Sequence, residues 1–346
     1  MNKLRLIQCG LGAMGISWLR DHTRSSPDFE LVAVVDPSDK ARIRARHELA
    51  VPEAMQFATL EEALDRVPAD AVLTVTPPAV HAAHALLAFE RGMHVMTEKP
   101  IADTLGSAKR MVAMARDIGR QLLVSQNSRY TRWAFKMKQL LATSAIGTLG
   151  HGHLDFYIPA DFPGTFRETM QFPLLVDMAI HHIDLIRHIT GRNIARVTAM
   201  SFRPAWSWFA HEPGLKMLME LTSPDGAGET IPFSYSGDWT ALGRCTSWSG
   251  HWRLQGSEGS LHWKGEQITL ERCERWMKNP QSQQFEPDPI EREGLAATLH
   301  NFADAIRTGI PAETSGEDNL HSFAAVIAAV TSAREKRTVK IADLLR

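Results

Sequence analysis

Short apolar runs recur through the first third of the chain, each closing on a turn-forming or polar residue: LRLIQCG, ELVAVVD, DAVLTVTPP, GMHVMTEKP and RQLLVSQN. Helical periodicity fills the gaps, over residues 14–24, 38–50, 79–91 and 104–119. Apolar strands alternating with helices of this length predict βαβ units and a parallel sheet covered on both faces. Residues 1–124 are therefore expected to form an α/β, doubly wound Rossmann domain. The pattern then changes. Strand-like runs near 194–203, 215–222, 229–237, 246–255 and 259–264 are separated by glycines and prolines, which suits antiparallel hairpins. Residues 125–346 are expected to form a second, α+β domain. Its polar, proline-bearing stretch 274–294 reads as a surface excursion. Helical patterns at 295–308 and 316–335 and a final short strand, RTVKI, close the chain.

Composition narrows the class. The 346 residues suffice for two ordinary domains, and the formal net charge of −1 supplies no field for nucleic acid or an acidic membrane. No apolar run approaches the ~18 residues of a membrane span. Cys9, Cys245 and Cys273 are far apart and form no CxxC, which argues against a zinc knuckle or disulfide framework. With no signal-peptide pattern at the N-terminus, a cytoplasmic setting is expected. No nucleic-acid or membrane partner is expected.

The first strand-like run opens into GLGAMG, a GxGxxG turn leading into a helix. Gly10 would permit the tight turn, Gly12 the close approach of a pyrophosphate, and Gly15 close helix–strand packing. Ala13 and Met14 complete the loop, whose N–H groups would face phosphates. Asp36 stands 26 residues beyond Gly10, at the end of the second run. A carboxylate there can accept from both ribose hydroxyls and repels a 2′-phosphate, so NAD is expected rather than NADP. Arg42 lies close enough in sequence to matter to that choice. Two further strand ends carry Thr76, Pro77 and His81, and Glu98, Lys99 and Pro100. Ligands of open α/β sheets bind outside the carboxyl ends of strands, so Lys99 is placed to reach the cofactor's reactive end.

DMAIHHIDL, in the second region, sets ionisable groups among Met, Ala and Ile. Read as a helix, Asp177, His181, Asp184 and His188 form one stripe. Such a stripe is the wall of a site, a metal site or a solvated helix face. The Asp–His spacing lacks a second helical HxxxH pair, and no metal is expected.

The order GLGAMG, VVDPS, TPPAVHAAHALLAFERGMHVMTEKP and DMAIHHIDL resembles the glucose–fructose oxidoreductase / inositol dehydrogenase / rhizopine-catabolism (Gfo/Idh/MocA) family. LQGSEGSLHW and HNFADAIRTGIPAETSGEDNL extend the likeness towards the C-terminus. The resemblance implies a Rossmann domain followed by a large, open, mostly antiparallel sheet. It implies NAD(P)-dependent oxidation of a sugar or cyclitol hydroxyl, with Lys99, Asp177 and His181 as catalytic residues. It implies that Asn127 and Arg129 face cofactor or substrate, the alternative being that Arg129, Tyr130 and Arg132 are a polar helix start, and that the Lys99–Pro100 peptide is cis. QFPLLVD before the helix and Ala179 within it depart from the family's glycine-rich pattern there.

Together these readings describe hydride transfer to nicotinamide, with His181 taking the hydroxyl proton. Asp177 would bind substrate or orient the imidazole. Lys99 would stabilise alkoxide character. Asp184 is expected to bind another hydroxyl or pair with Arg187. The alternatives are a non-catalytic NAD-binding sensor and redox-neutral glycoside chemistry with retained NAD. Seven of the nine tryptophans lie between Trp206 and Trp276. An open sheet must cover its exposed face, so a homodimer or homotetramer through the C-terminal sheet is expected.

Overall fold

The computed structural model describes residues 2–346. The chain packs as two units, Met1–Tyr130 with Arg292–Leu320, and Thr131–Glu291 with His321–Arg346. The first holds a sheet of strands β1 (Leu4–Cys9), β2 (Phe29–Val35), β3 (Gln56–Phe57), β4 (Ala71–Thr74), β5 (His94–Thr97) and β6 (Leu122–Val124), in the order β3-β2-β1-β4-β5-β6. All its pairings are parallel. This is the doubly wound Rossmann arrangement, and its order reverses between β1 and β4.

Helices α1 (Ala13–Trp18), α2 (Asp39–Leu49), α3 (Leu60–Arg66), α4 (Pro78–Glu90) and α5 (Leu105–Asp117) link the strands. Local chemistry sets their starts. Ser38, Thr59 and Thr104 each accept a backbone N–H of the first turn, and Pro78 opens α4, where a missing N–H costs nothing. The short β3 and α3 are absent from the periodicity reading. A two-residue strand gives no alternation to detect.

Residues 125–346 do not form one contiguous body. The helix Gly294–Thr308 belongs to the first unit, where Leu299, Phe302 and Ala303 join the core of Leu6, Trp18, Phe29, Leu73 and Met96. Phe302 stacks on Phe29 with centroids 5.7 Å apart, and Arg307 and His300 both hold Asp28 at 2.8 Å. Apolar periodicity identifies the helix but not the partner its stripe faces.

The second unit is built on β7 (Leu149–Tyr157), β8 (Asn193–Phe202), β9 (Gly214–Thr222), β10 (Ile231–Asp238), β11 (His251–Gly256), β12 (Ser260–Lys264), β13 (Ile268–Glu274), β14 (Lys278–Phe285) and β15 (Val339–Lys340). Their order is β14-β13-β12-β11-β7-β10-β9-β8-β15, antiparallel except where β10 meets β7. Helices α6 (Arg132–Ala142) and α7 (Ala179–Thr190) complete the part relevant to chemistry. Alternation assigns the two faces. Leu154, Phe156, Met217, Met219, Phe233, Tyr235, Trp252 and Trp263 are buried, whereas Met200 and Leu218 are exposed.

Two expectations are corrected here. Residues 246–250 precede rather than enter β11, because Gly250 at φ +81° ends a turn closed by Gly250 N–H to Ser247 O. The stretch 274–294 is not simply an excursion: Lys278–Phe285 pairs along β13. Its side chains are exposed on both faces, so no two-residue alternation marks it. Among the described residues, no helix is long and apolar enough to cross a membrane.

Candidate functional site

The candidate residues of the first unit lie at the carboxyl ends of β1, β2, β4, β5 and β6. Gly10 has φ +98°, and a Cβ there would lie 2.2 Å from Val75 O; a Cβ on Gly15 would lie 2.1 Å from Gly10 O. Both positions therefore require glycine. A Cβ on Gly12 would meet nothing within 4 Å, and Gly12, Ala13 and Met14 are exposed at the start of α1. The loop is a cradle with one open side. Gln8 holds it from beneath: its buried amide donates to Gly15 O at 2.8 Å and accepts from Thr23 Oγ1 at 2.8 Å. Sequence reasoning missed Gln8, whose polarity inside an apolar strand was the available signal.

Asp36 sits at the end of β2. Its Oδ2 accepts from Leu11 N–H at 2.8 Å and its Oδ1 from Ser38 N–H at 2.9 Å. The carboxylate is thus fixed beside the glycine loop.

At the end of β5 the Lys99–Pro100 peptide is cis. Glu98 is buried. Its Oε1 accepts from the Trp18 indole at 2.7 Å and its Oε2 from Lys99 N–H at 3.1 Å. Burial raises its pKa, against the pull of the Trp18 hydrogen bond and the Lys99 charge. Glu98 therefore positions the lysine backbone from inside rather than presenting a carboxylate to a cofactor. His81 is corrected in the same way. It has 0% exposure, and its ring nitrogens lie 2.8 Å from Thr76 O and 3.0 Å from Pro100 O. It ties together the two loops that carry Thr76–Pro77 and Lys99, and cannot touch a ligand itself. Burial pulls its pKa down. Arg129, expected to face substrate, is also buried. It donates to Glu313 O at 2.8 Å and pairs with Asp318 at 2.5 Å. Asn127 and Lys99 remain partly open.

The candidate residues of the second unit lie at the entry to α7. A π turn, Leu174–Met178, precedes the helix, so the polar stripe does not start on a regular α-helix. Asp177 and His181 are partly open, but Asp184 and His188 are buried. Asp184 is 1% exposed and accepts from Ser322 Oγ at 2.7 Å. Ser322 Oγ in turn accepts from Arg187 at 2.8 Å. Asp184 is a core anchor and cannot bind a substrate hydroxyl. The stripe therefore divides into an open pair and an interior pair.

His182 lies off that stripe and faces the sheet. Its ring nitrogens are 3.0 Å from Tyr235 Oη and 3.3 Å from Trp248 O. Burial lowers its pKa to about 4. Arg167, which the sequence did not single out, reaches Asp177 with Nε at 2.6 Å from Oδ2. Its guanidinium also lies over the rings of Phe162 and Phe166, at 5.0 and 4.7 Å.

Residues 4–126 match the family described as "Oxidoreductase family, NAD-binding Rossmann fold", and residues 135–262 match the "GFO/IDH/MocA C-terminal domain". The chain belongs to the Gfo/Idh/MocA family of oxidoreductases. It is 28% identical over 353 residues to a D-apiose dehydrogenase of Paraburkholderia graminis, covering 98% of this chain and 89% of that protein. It is 30% identical over 195 residues to an inositol 2-dehydrogenase of Arthrobacter sp., covering 56% of each. Among solved structures, an oxidoreductase from Agrobacterium radiobacter in complex with NAD+, L-tartaric acid and magnesium superposes with a TM-score of 0.85. It is 20% identical and covers 99% of this chain and 100% of that one.

The chain is thus an NAD-dependent oxidoreductase acting on alcohol groups. Its own residues fit the dinucleotide. The loop is open on the side of Gly12, the Asp36 carboxylate is fixed beside it, and Thr76 Oγ1 is buried without a hydrogen-bond partner at the end of β4. An orphaned hydroxyl of this kind carries a cost that a bound polar group removes.

Proposed function

We propose that the protein oxidises a hydroxyl of a sugar, cyclitol or related polyol, delivering the hydride to NAD with help from Lys99, Asp177 and His181. The observation that carries this reading is the division of the α7 stripe. Only Asp177 and His181 stay partly open, while the same helix buries Asp184 and His188. A structural stripe would not need that difference. A bound NAD would supply the hydride acceptor, and the protein must remove the hydroxyl proton. An imidazole, with a reference pKa of about 6.5, suits that task near neutral pH. Asp177 orients the imidazole or accepts a substrate hydroxyl. Lys99, on the loop that Glu98 and His81 brace, favours negative charge growing on the reacting oxygen.

The names of the relatives, D-apiose dehydrogenase and inositol 2-dehydrogenase, support a polyhydroxylated substrate. The sheet face bearing Met200 and Leu218 is proposed to pair with a second copy, giving a homodimer or homotetramer.

The test is incubation with NAD and a panel of aldoses, cyclitols and sugar acids, following NADH. NADH formed with one of these classes supports the reading. Tight NAD binding with no turnover on any of them would favour a sensor. Release of an aglycone from glycosides without net NADH would favour redox-neutral chemistry.

A further inference from the structure

The tryptophans of the second unit divide into two sets. Trp239, Trp252 and Trp263 are buried, whereas Trp206 is 65% exposed and Trp208 39%. The exposed pair stands on the segment between β8 and β9. Tyr157 pairs with Asp238, and Gly214 with both Asp238 and Phe202, so this segment and the one that follows β7 leave the same end of the sheet. Asp177 and His181 follow the second of these segments directly. Ser207 and Phe209, the alternate residues, are buried. Trp206 Nε1 donates to Thr240 O at 3.2 Å and Trp208 Nε1 to Ala160 O at 2.9 Å. From behind, Arg203 donates to Ser207 O and Phe209 O at 2.9 and 2.7 Å. The indoles are thus held by their N–H edges, and what they leave exposed is apolar ring. The segment is also tied to the Arg167 turn, through Ala210 N–H to Glu168 O at 2.9 Å. Trp208 packs on Phe209, Phe209 on Trp239 and Trp239 on Phe162, with centroids 6.1, 5.8 and 5.2 Å apart, and the Arg167 guanidinium covers Phe162. Phe166, on the same turn, is 63% exposed.

We propose that Trp206, Trp208 and Phe166 form a stacking subsite for a second sugar ring, so that the substrate is a disaccharide or glycoside rather than a free monosaccharide. The proposal rests on the reading of Asp177 and His181 as the reacting end of the site and deepens it. A pyranose presents an apolar C–H face and a rim of hydroxyls. Exposed aromatic rings beside a carboxylate and a guanidinium match both. A ring seated on Asp177 and His181 meets Arg167 and Phe166 first, because Arg167 holds Asp177. The indoles stand on the neighbouring segment, where a second ring continues. Rings fixed in place without a ligand cost a binding sugar little ordering. A second copy of the chain is the poorer occupant: the cores of protein interfaces are depleted of charge, and these rings adjoin Arg167 and Asp177. The face that bears Met200 and Leu218 lies along the strands rather than at their ends.

The experiment compares cellobiose, lactose and maltose with D-glucose and D-galactose at saturating NAD. NADH formation gives kcat/KM, titration calorimetry gives affinity, and light scattering gives the oligomeric state. The proteins are the natural chain, Trp206→Ala with Trp208→Ala, Trp206→Phe with Trp208→Phe, and Trp276→Ala. The natural chain favours at least one disaccharide over its component sugars by about ten-fold, as one or two stacked rings would give. The double alanine variant brings that ratio close to one. The double phenylalanine variant loses both indole N–H bonds but keeps the rings, and so keeps most of the ratio; it decides the matter if the alanine variant does not fold. Trp276→Ala, at the tip of the β13–β14 hairpin and 94% exposed, leaves the ratio unchanged. Absence of a disaccharide advantage in both turnover and binding would overturn the proposal. So would an equal loss for disaccharide and monosaccharide in the alanine variant, or a changed oligomeric state with the ratio intact, which would assign the rings to a second copy. A disaccharide advantage in binding that the alanine variant abolishes, with no NADH from any sugar, would keep the subsite and overturn the dehydrogenase reading instead.

Discussion

The Arg167 guanidinium holds the Asp177 carboxylate, with Nε 2.6 Å from Oδ2. The arginine comes from the short helical turn Phe166–Glu168, and Phe162 and Phe166 flank its plane. A polar residue at the entry to α7 is thereby fixed by a turn ten residues before it. If Asp177 serves the reaction, Arg167 sets its position. Arg167→Ala then lowers kcat on the order of 10- to 100-fold and leaves NAD affinity unchanged. Arg167→Lys, which keeps the charge but not the planar fork, recovers part of the loss. Steady-state kinetics with parallel NAD titration checks this. Full activity in Arg167→Ala would remove Asp177 from the chemistry or Arg167 from its support.

Gly12 separates a phosphate cradle from an ordinary turn. A methyl group there meets no protein atom, and the backbone at φ −63° accepts any residue. Gly12→Ala is therefore predicted to leave the thermal midpoint nearly unchanged while weakening NAD binding on the order of ten-fold, by displacing a phosphate from its donors. Gly15→Ala drives its Cβ into Gly10 O and lowers both stability and affinity. Equal NAD affinity in Gly12→Ala and the natural chain would place the pyrophosphate elsewhere.

Glu98 gives a test of the brace behind Lys99. In Glu98→Gln the amide oxygen still accepts from the Trp18 indole; in Glu98→Ala that buried donor loses its acceptor. The alanine variant should be about 1–3 kcal/mol less stable than the glutamine variant. Urea unfolding of the pair reads the difference. Identical midpoints would mean that the indole finds another partner.

His182 links stability to pH. Its pKa in the folded protein is about 4, against the usual 6.5, so the unfolded chain binds more protons between those values. Its contribution is complete above pH 6.5 and is lost as pH falls towards 4, in total roughly 3 kcal/mol for a wholly buried ring. Other half-buried histidines with lowered pKa, including His94, act in the same direction. Stability measured by urea at pH 7.5 and 5 should fall with acid, and less steeply in His182→Gln. An unchanged slope in that variant would show that His182 is not the buried neutral base.

The legible part of the fold is the part with a strong period. Alternating strands and helices marked β1, β2, β4, β5 and β6, and the glycine spacing marked the loop that the backbone confirms at Gly10 and Gly15. Polar groups at strand ends were correctly located along the chain, but location did not decide exposure. His81, Glu98, Arg129 and Asp184 all sit near expected sites and are buried as braces. A sequence shows that a polar residue is present; only packing shows whether water or a ligand can reach it. Gln8 and Arg167 were missed because no helix or strand period pairs either with its partner, Gly15 and Thr23 for Gln8 and Asp177 for Arg167. The polar edge strand β14 was missed because both its faces are wet.

The proton acceptor is the centre of the functional reading, and single-turnover hydride transfer in His181→Gln tests it most directly. NAD affinity is measured on the same preparation. The reading predicts a hydride-transfer rate lower by ~10²–10⁴-fold with a nearly unchanged NAD dissociation constant. A rate equal to that of the natural chain, on a substrate it oxidises, would contradict it.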